Sequence, residues 1–213
     1  MGRGPLLEIY WHSTLQSRMM EPQLTSAERS RLRIFRHVAA EARVALSVAR
    51  PGGESVRVVR GYIETEGDTE RVRNMCIPVR RAYLENDPVN MSRIVAMLRA
   101  TGSSEIRQRL EAFERSYAPI QNELESASIL NDRRITHGEM FEKWIDAMVF
   151  HDIPAKRQPF LAMADELGKA VEGIALRLAE RIARCLLDLD GIVAAFLGEP
   201  TDTVADAAPT GDA

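Results

Sequence analysis

The stretch that decides the fold runs from Ala164 to Phe196 and reads ADELGKAVEGIALRLAERIARCLLDLDGIVAAF. Its apolar positions are Ala164, Leu167, Val171, Ile174, Leu178, Ile182, Cys185, Leu189, Ile192 and Phe196. They recur in steps of three and four, with a stutter at Leu178–Ile182 where two steps of four adjoin. That is the spacing of one helical face, so the pattern predicts one long helix from about Pro159 to Phe196. Asp-Leu-Asp-Gly at 188–191 is where it could divide in two. A seam of this length must bury against the rest of the chain or against a second copy. If it makes the intermolecular contact, the residues that form it are Leu167, Val171, Ile174, Leu178, Ile182 and Leu189.

Working upstream, Thr136 and Glu139 have the capping-box spacing, which predicts a helix to about Phe150. On it, His137, Phe141, Trp144, Met148 and His151 fall on one stripe. Glu139, Glu142 and Asp146 form a carboxylate row on a neighbouring face. Further helices are expected from a Ser26 cap to about Ala49, from an Asp68 cap to Asn86, from Pro88 to Thr101, and from Ser103 or Ser104 onward past Tyr117. Pro78 and Pro119 are expected to kink or split the helices that contain them. Residues 131–134 break the periodic pattern.

Two segments read as strands. Ser55–Thr65 is rich in valine, and Leu6–Trp11 is its only convincing partner. The expected fold is therefore mainly α (α+β by strict count). It is a multi-helix bundle with a small two-stranded N-terminal β element and a disordered C-terminal tail. The divisions are a strand–helix–strand element over 1–67, a helical bundle over 68–198 continuous with it as one domain, and an acidic tail over 199–213.

Composition supports this class. The chain has 213 residues, 45% hydrophobic and 28% charged, enough for one core without disulfides or metals. Cys76 and Cys185 show no zinc spacing and read as small buried hydrophobes. No secretory leader and no membrane-spanning run is legible, which predicts a reduced, cytoplasmic setting.

Residues 1–100 carry 16 Arg and no Lys against 11 acids, whereas residues 101–213 carry 12 bases against 20 acids. Arg29, Arg33, Arg36 and Arg43 line one side of the first helix and are the candidate nucleic-acid residues. A net of +5 over the first 100 residues is a weak footprint for phosphate-driven binding, so nucleic acid is not the favoured partner.

No nucleotide-loop or nucleophile-elbow motif is present, and no cofactor or metal site is read. His37 and Glu41 stand at i and i+4 without a second ligand pair. An enzyme or small-ligand pocket would form around His137, Trp144, His151 and Asp152, with His151 as general base oriented by Asp152. Three functions follow in order. The first is protein–protein interaction or homodimerisation through the C-terminal helix. The second is nucleic-acid association through the arginines. The third is a pocket near His151.

Overall fold

The computed structural model describes residues 24–48, 66–130, 135–167 and 170–201. Within them the chain is a mainly α multi-helix bundle: α1 (Ser26–Val48), α2 (Glu66–Tyr83), α3 (Met91–Thr101), α4 (Ser104–Ser126), α5 (His137–Val149), α6 (Pro154–Leu167) and α7 (Ala170–Leu197). A short antiparallel pair, β1 (Ser128–Leu130) and β2 (Ile135–Thr136), precedes α5. This pair was not expected from the sequence, which shows only a break in periodicity there. The strands expected at 6–11 and 55–65 lie outside the described residues, as does the tail from Asp202. No helix among the described residues is long and apolar enough to cross a membrane.

The bundle is organised around α7, which packs against all six other helices. Its seam faces inward: Val171, Ile182 and Leu189 are fully buried and Leu178 nearly so. A second stripe of Ala175, Ala179 and Ala183 is also fully buried, and such small side chains let neighbouring helices approach closely. Leu167 and Ile174 sit at the edge, half-buried against the same core. Four of the six residues offered as an intermolecular contact, Val171, Leu178, Ile182 and Leu189, are thus covered by the chain's own helices. Burial within one chain avoids the translational cost of association.

The helix expected from about Pro159 to Phe196 corresponds to α6 and α7, and residues 168–169 between them lie outside the described residues. α6 starts earlier, at Pro154, a first-turn position where a missing N–H costs nothing. Residues 188–191 do not interrupt α7. Asp190 is almost fully buried there, yet its charge is met by Arg36 Nε at 3.2 Å and Arg43 Nη2 at 3.1 Å. Those two arginines lie seven residues apart on α1, so both reach one carboxylate across the α1–α7 contact.

The caps refine the expected boundaries. Thr25, not Ser26, caps α1: its hydroxyl accepts from the Glu28 amide at 3.2 Å, and the Glu28 carboxylate accepts from the Thr25 amide at 2.8 Å. α2 begins at Glu66, which places Asp68 inside the helix, and it ends at Tyr83 rather than Asn86. α3 begins at Met91 with Asn90 as its cap, so Pro88 belongs to the preceding turn. Ser103 caps α4 and Thr136 caps α5 with the full reciprocal capping box. α2 and α4 run unbroken through Pro78 and Pro119. Apolar side chains buried on both sides of each proline hold these helices together. They are Cys76 and Val79 in α2, and Tyr117 and Ile120 in α4.

Candidate functional site

The structure separates the residues singled out from the sequence. Trp144 is buried and stacks on Phe141, with ring centroids 6.2 Å apart, so it belongs to the core and is not a binding surface. The arginine row splits. Arg36 and Arg43 turn inward to Asp190, and Arg36 also binds the Glu199 carboxylate at 2.5 Å and the Pro200 carbonyl at 2.8 Å. Glu199 and Pro200, expected to open the tail, are thereby held against α1. Arg33 lies 3.6 Å from Glu199 with most of its side chain in solvent, and Arg29 is exposed.

His151 and Asp152 do meet, Nε2 to Oδ1 at 3.0 Å, and Arg73 donates to the other Asp152 oxygen at 2.9 Å. The remaining His151 nitrogen, Nδ1, is buried. With Nε2 on Asp152, the ring presents no open nitrogen to a substrate. His137 lies 14 residues away along the same stripe, roughly 21 Å on a straight helix, so the two histidines serve no common site. His37 and Glu41 form an exposed pair at 3.4 Å. No group of three metal-ligating side chains that could hold a metal ion occurs among the described residues.

A different site is assembled where α2 ends. After Tyr83 the chain turns through residues 84–90, and Asn90 fastens that turn. Its amide nitrogen donates to the Tyr83 carbonyl at 2.7 Å, and its side-chain oxygen accepts from the Ser92 amide at 2.9 Å. Asp87 accepts from the Val89 amide at 3.0 Å and takes Arg81 Nε at 3.3 Å. This turn, the last turns of α4 and one face of α5 enclose a cleft of about 610 Å³. Gly138 lets the first turn of α5 lie close to α4, since a Cβ there would stand 3.2 Å from the Leu124 carbonyl oxygen.

Tyr83 and Tyr117 contribute to the cleft wall. The Tyr83 ring meets Phe141 edge-on at 5.2 Å, and the Tyr117 ring stacks on Phe113 at 5.8 Å. Neither hydroxyl has a hydrogen-bond partner among the described residues, and neither is sealed from solvent. Burial, reinforced by Glu142, Glu125 and Glu85, pushes the Tyr83 hydroxyl up to about 12. Burial raises Tyr117 as well. Both stay protonated and neutral near pH 7.

Three carboxylates from three elements border this wall: Glu85 in the turn, Glu125 on α4 and Glu142 on α5. None of them has an ion pair or hydrogen bond among the described residues. The nearby cations are already engaged, Arg80 with Asp146 at 2.8 Å and over the Phe150 ring at 5.1 Å, and Arg81 with Asp87. Partial burial raises the Glu142 carboxyl above the ordinary range, helped by the neighbouring charges of Asp146, Glu139 and Glu85. The carboxylate row of α5 therefore divides by task. Glu139 closes the capping box, Asp146 holds Arg80, and Glu142 faces the cleft.

Sequence reasoning missed this site because Tyr83 and Tyr117 read as members of apolar faces, and Glu85 and Glu125 carry no motif. The one legible signal was the row containing Glu142. No protein-family model, curated protein or solved structure matches the chain.

Proposed function

We propose that this protein acts by binding rather than by covalent catalysis, and that the cleft between the 84–90 turn, α4 and α5 recognises a positively charged ligand. The observation that carries this reading is the set of carboxylates, Glu85, Glu125 and Glu142, which have no ion pair among the described residues and stand around two tyrosines. Negative charges in a concave, partly apolar site focus attraction on a cation and disfavour phosphate. Nucleic acid is correspondingly less well supported, since two of its four candidate arginines are bound inside the molecule.

Tyrosine fluorescence and amide chemical shifts of the whole chain test the reading. Cationic probes such as oligolysine or a diaminoalkane are expected to perturb the cleft residues, whereas succinate is not. As the pH falls, Glu142 protonates earlier than an ordinary glutamate because its carboxyl is raised. The response is therefore expected to weaken already in mild acid. Equal responses to cation and anion, or none to either, would remove the proposal.

Association of the protein with its own copy is a second reading, moved from the C-terminal helix to the outer stripe of α1. There Ile34, His37, Glu41 and Val44 recur at helical spacing. Ile34 is 45% and Val44 62% exposed, beside an apolar groove completed by Ala40 and Ile77. If this stripe pairs two chains, light scattering at micromolar concentration gives a dimer that Val44→Asp dissociates. A monomer at every concentration rejects it.

A further inference from the structure

We infer that the outer stripe of α1 joins two copies of this chain antiparallel about a two-fold axis, with Ile34 of each against Val44 of the other and His37 against Glu41. The inference rests on the second reading above, self-association through this stripe, and adds the direction and register of the pair. Ile34, His37, Glu41 and Val44 follow one another in steps of three, four and three, the spacing of a two-helix seam, and all four are exposed. A two-fold axis brings residue i to residue j and residue j to residue i. Ile34 and His37 stand as far before the midpoint of the stripe, near Ala39, as Val44 and Glu41 stand after it. Charge then decides the direction. A parallel pair sets Glu41 against Glu41 and His37 against His37, like opposite like at a partly desolvated seam. The antiparallel pair sets each imidazole opposite a carboxylate, twice over, and keeps apolar opposite apolar at both ends.

The surface beside the stripe fits the same arrangement. Next to Val44, α1 and α2 enclose a groove of about 570 Å³ whose lining includes Ala40, Ala45 and Ile77. In the antiparallel register Ile34 of the partner subunit arrives beside Val44, where it meets this groove as a knob meets a hole. Symmetry makes each chain give one isoleucine and receive one. The pairing also removes from water two of the three exposed large apolar side chains among the described residues, Ile34 and Val44, leaving Ile153. Glu41 already stands 3.4 Å from His37 of its own helix. A carboxylate accepts from several donors, so it serves that imidazole and the one opposite. The seam is only about 15 Å long, which places the dimer in the weak class of small interfaces.

The test is disulfide cross-linking of the full chain, read together with light scattering. Ile34→Cys and Val44→Cys chains are prepared separately, then mixed and mildly oxidised. Cys76 and Cys185 are buried, so the background is low. The mixture is expected to give a linked dimer of one chain of each kind. Neither chain alone is expected to link, because like positions lie roughly 15 Å apart along antiparallel helices. Glu41→Lys is expected to weaken the dimer about a hundredfold, since symmetry repeats the lost pair, and adding His37→Glu to the same chain restores it. Glu111→Lys, exposed on α4, leaves it unchanged. Linking within each population but not between them overturns the inference and leaves the stripe reading standing. So does a dimer that Val44→Asp dissociates and Glu41→Lys does not. A dimer indifferent to Val44→Asp overturns both, as does a monomer at every concentration. Slow alkylation of a monomeric Val44→Cys chain would then show that the stripe is covered from within its own chain. Every substituted position is exposed on α1 or α4, and circular dichroism of each variant verifies that it folds.

Discussion

Asp190→Ala is expected to lower the unfolding free energy by about 3–5 kcal/mol, the usual loss when one partner of a buried charge network is removed. The Asp190 side chain is 3% exposed, and the two guanidinium groups on it are 15% and 19% exposed. Deleting the carboxylate leaves both cations in a poorly hydrated contact between α1 and α7. Arg36 keeps Glu199 and Pro200 as partners. For a chain of this length the melting temperature should fall on the order of 10 °C. Asp190→Asn, which keeps an acceptor but loses the charge, should lie between the two. Asp188→Ala, two residues away and exposed, should change stability by about 0.5 kcal/mol or less. A melt of Asp190→Ala within a degree of wild type would show that the network contributes nothing.

The second large effect is expected at the centre of α7. Ile182→Ala should cost about 2–5 kcal/mol, because Ile182 is fully buried and the surrounding helices can close only part of the space left. Leu178→Ala, one turn earlier on the same face, should cost a similar amount. The pair should not be strictly additive, since the residues are near neighbours in one core. What separates core from interface is the accompanying mass measurement. A seam that serves the monomer's interior loses stability at every protein concentration and leaves the oligomeric state alone. A seam that joined two copies would lose its dimer, and its melting temperature would depend on concentration. Denaturant melts at two concentrations tenfold apart, read with light scattering, distinguish the outcomes.

These effects trace where the sequence was legible. Periodicity identified the inward faces of α1, α2, α3 and α4 residue by residue: Leu32, Phe35 and Val38; Val72, Met75 and Val79; Ile94 and Leu98; Leu110, Phe113 and Ile120 are all buried. The capping box at Thr136 and Glu139 was equally readable, because its chemistry is local and complete within four residues. Boundaries set by competition between neighbouring caps were less so. Thr25 outbid Ser26 because only Thr25 has a glutamate three residues on. Asn90 displaced Pro88 because its side chain serves the end of α2 and the start of α3 together.

What the sequence by itself determined is the helical class and, for each helix, the stripe that must leave water, since these follow from side-chain spacing along one rod. It could not say what each stripe would meet. Only the tertiary structure decided that the long seam is covered by six helices of its own chain, that Arg36 and Arg43 are spent on Asp190, and that Tyr83, Glu85, Tyr117, Glu125 and Glu142 border one cleft. The reason is physical: hydrophobic burial is non-directional and specifies how much surface is hidden but not against which neighbour. Charge pairing and cleft formation depend on distances across the bundle, and those exist only once the helices have packed.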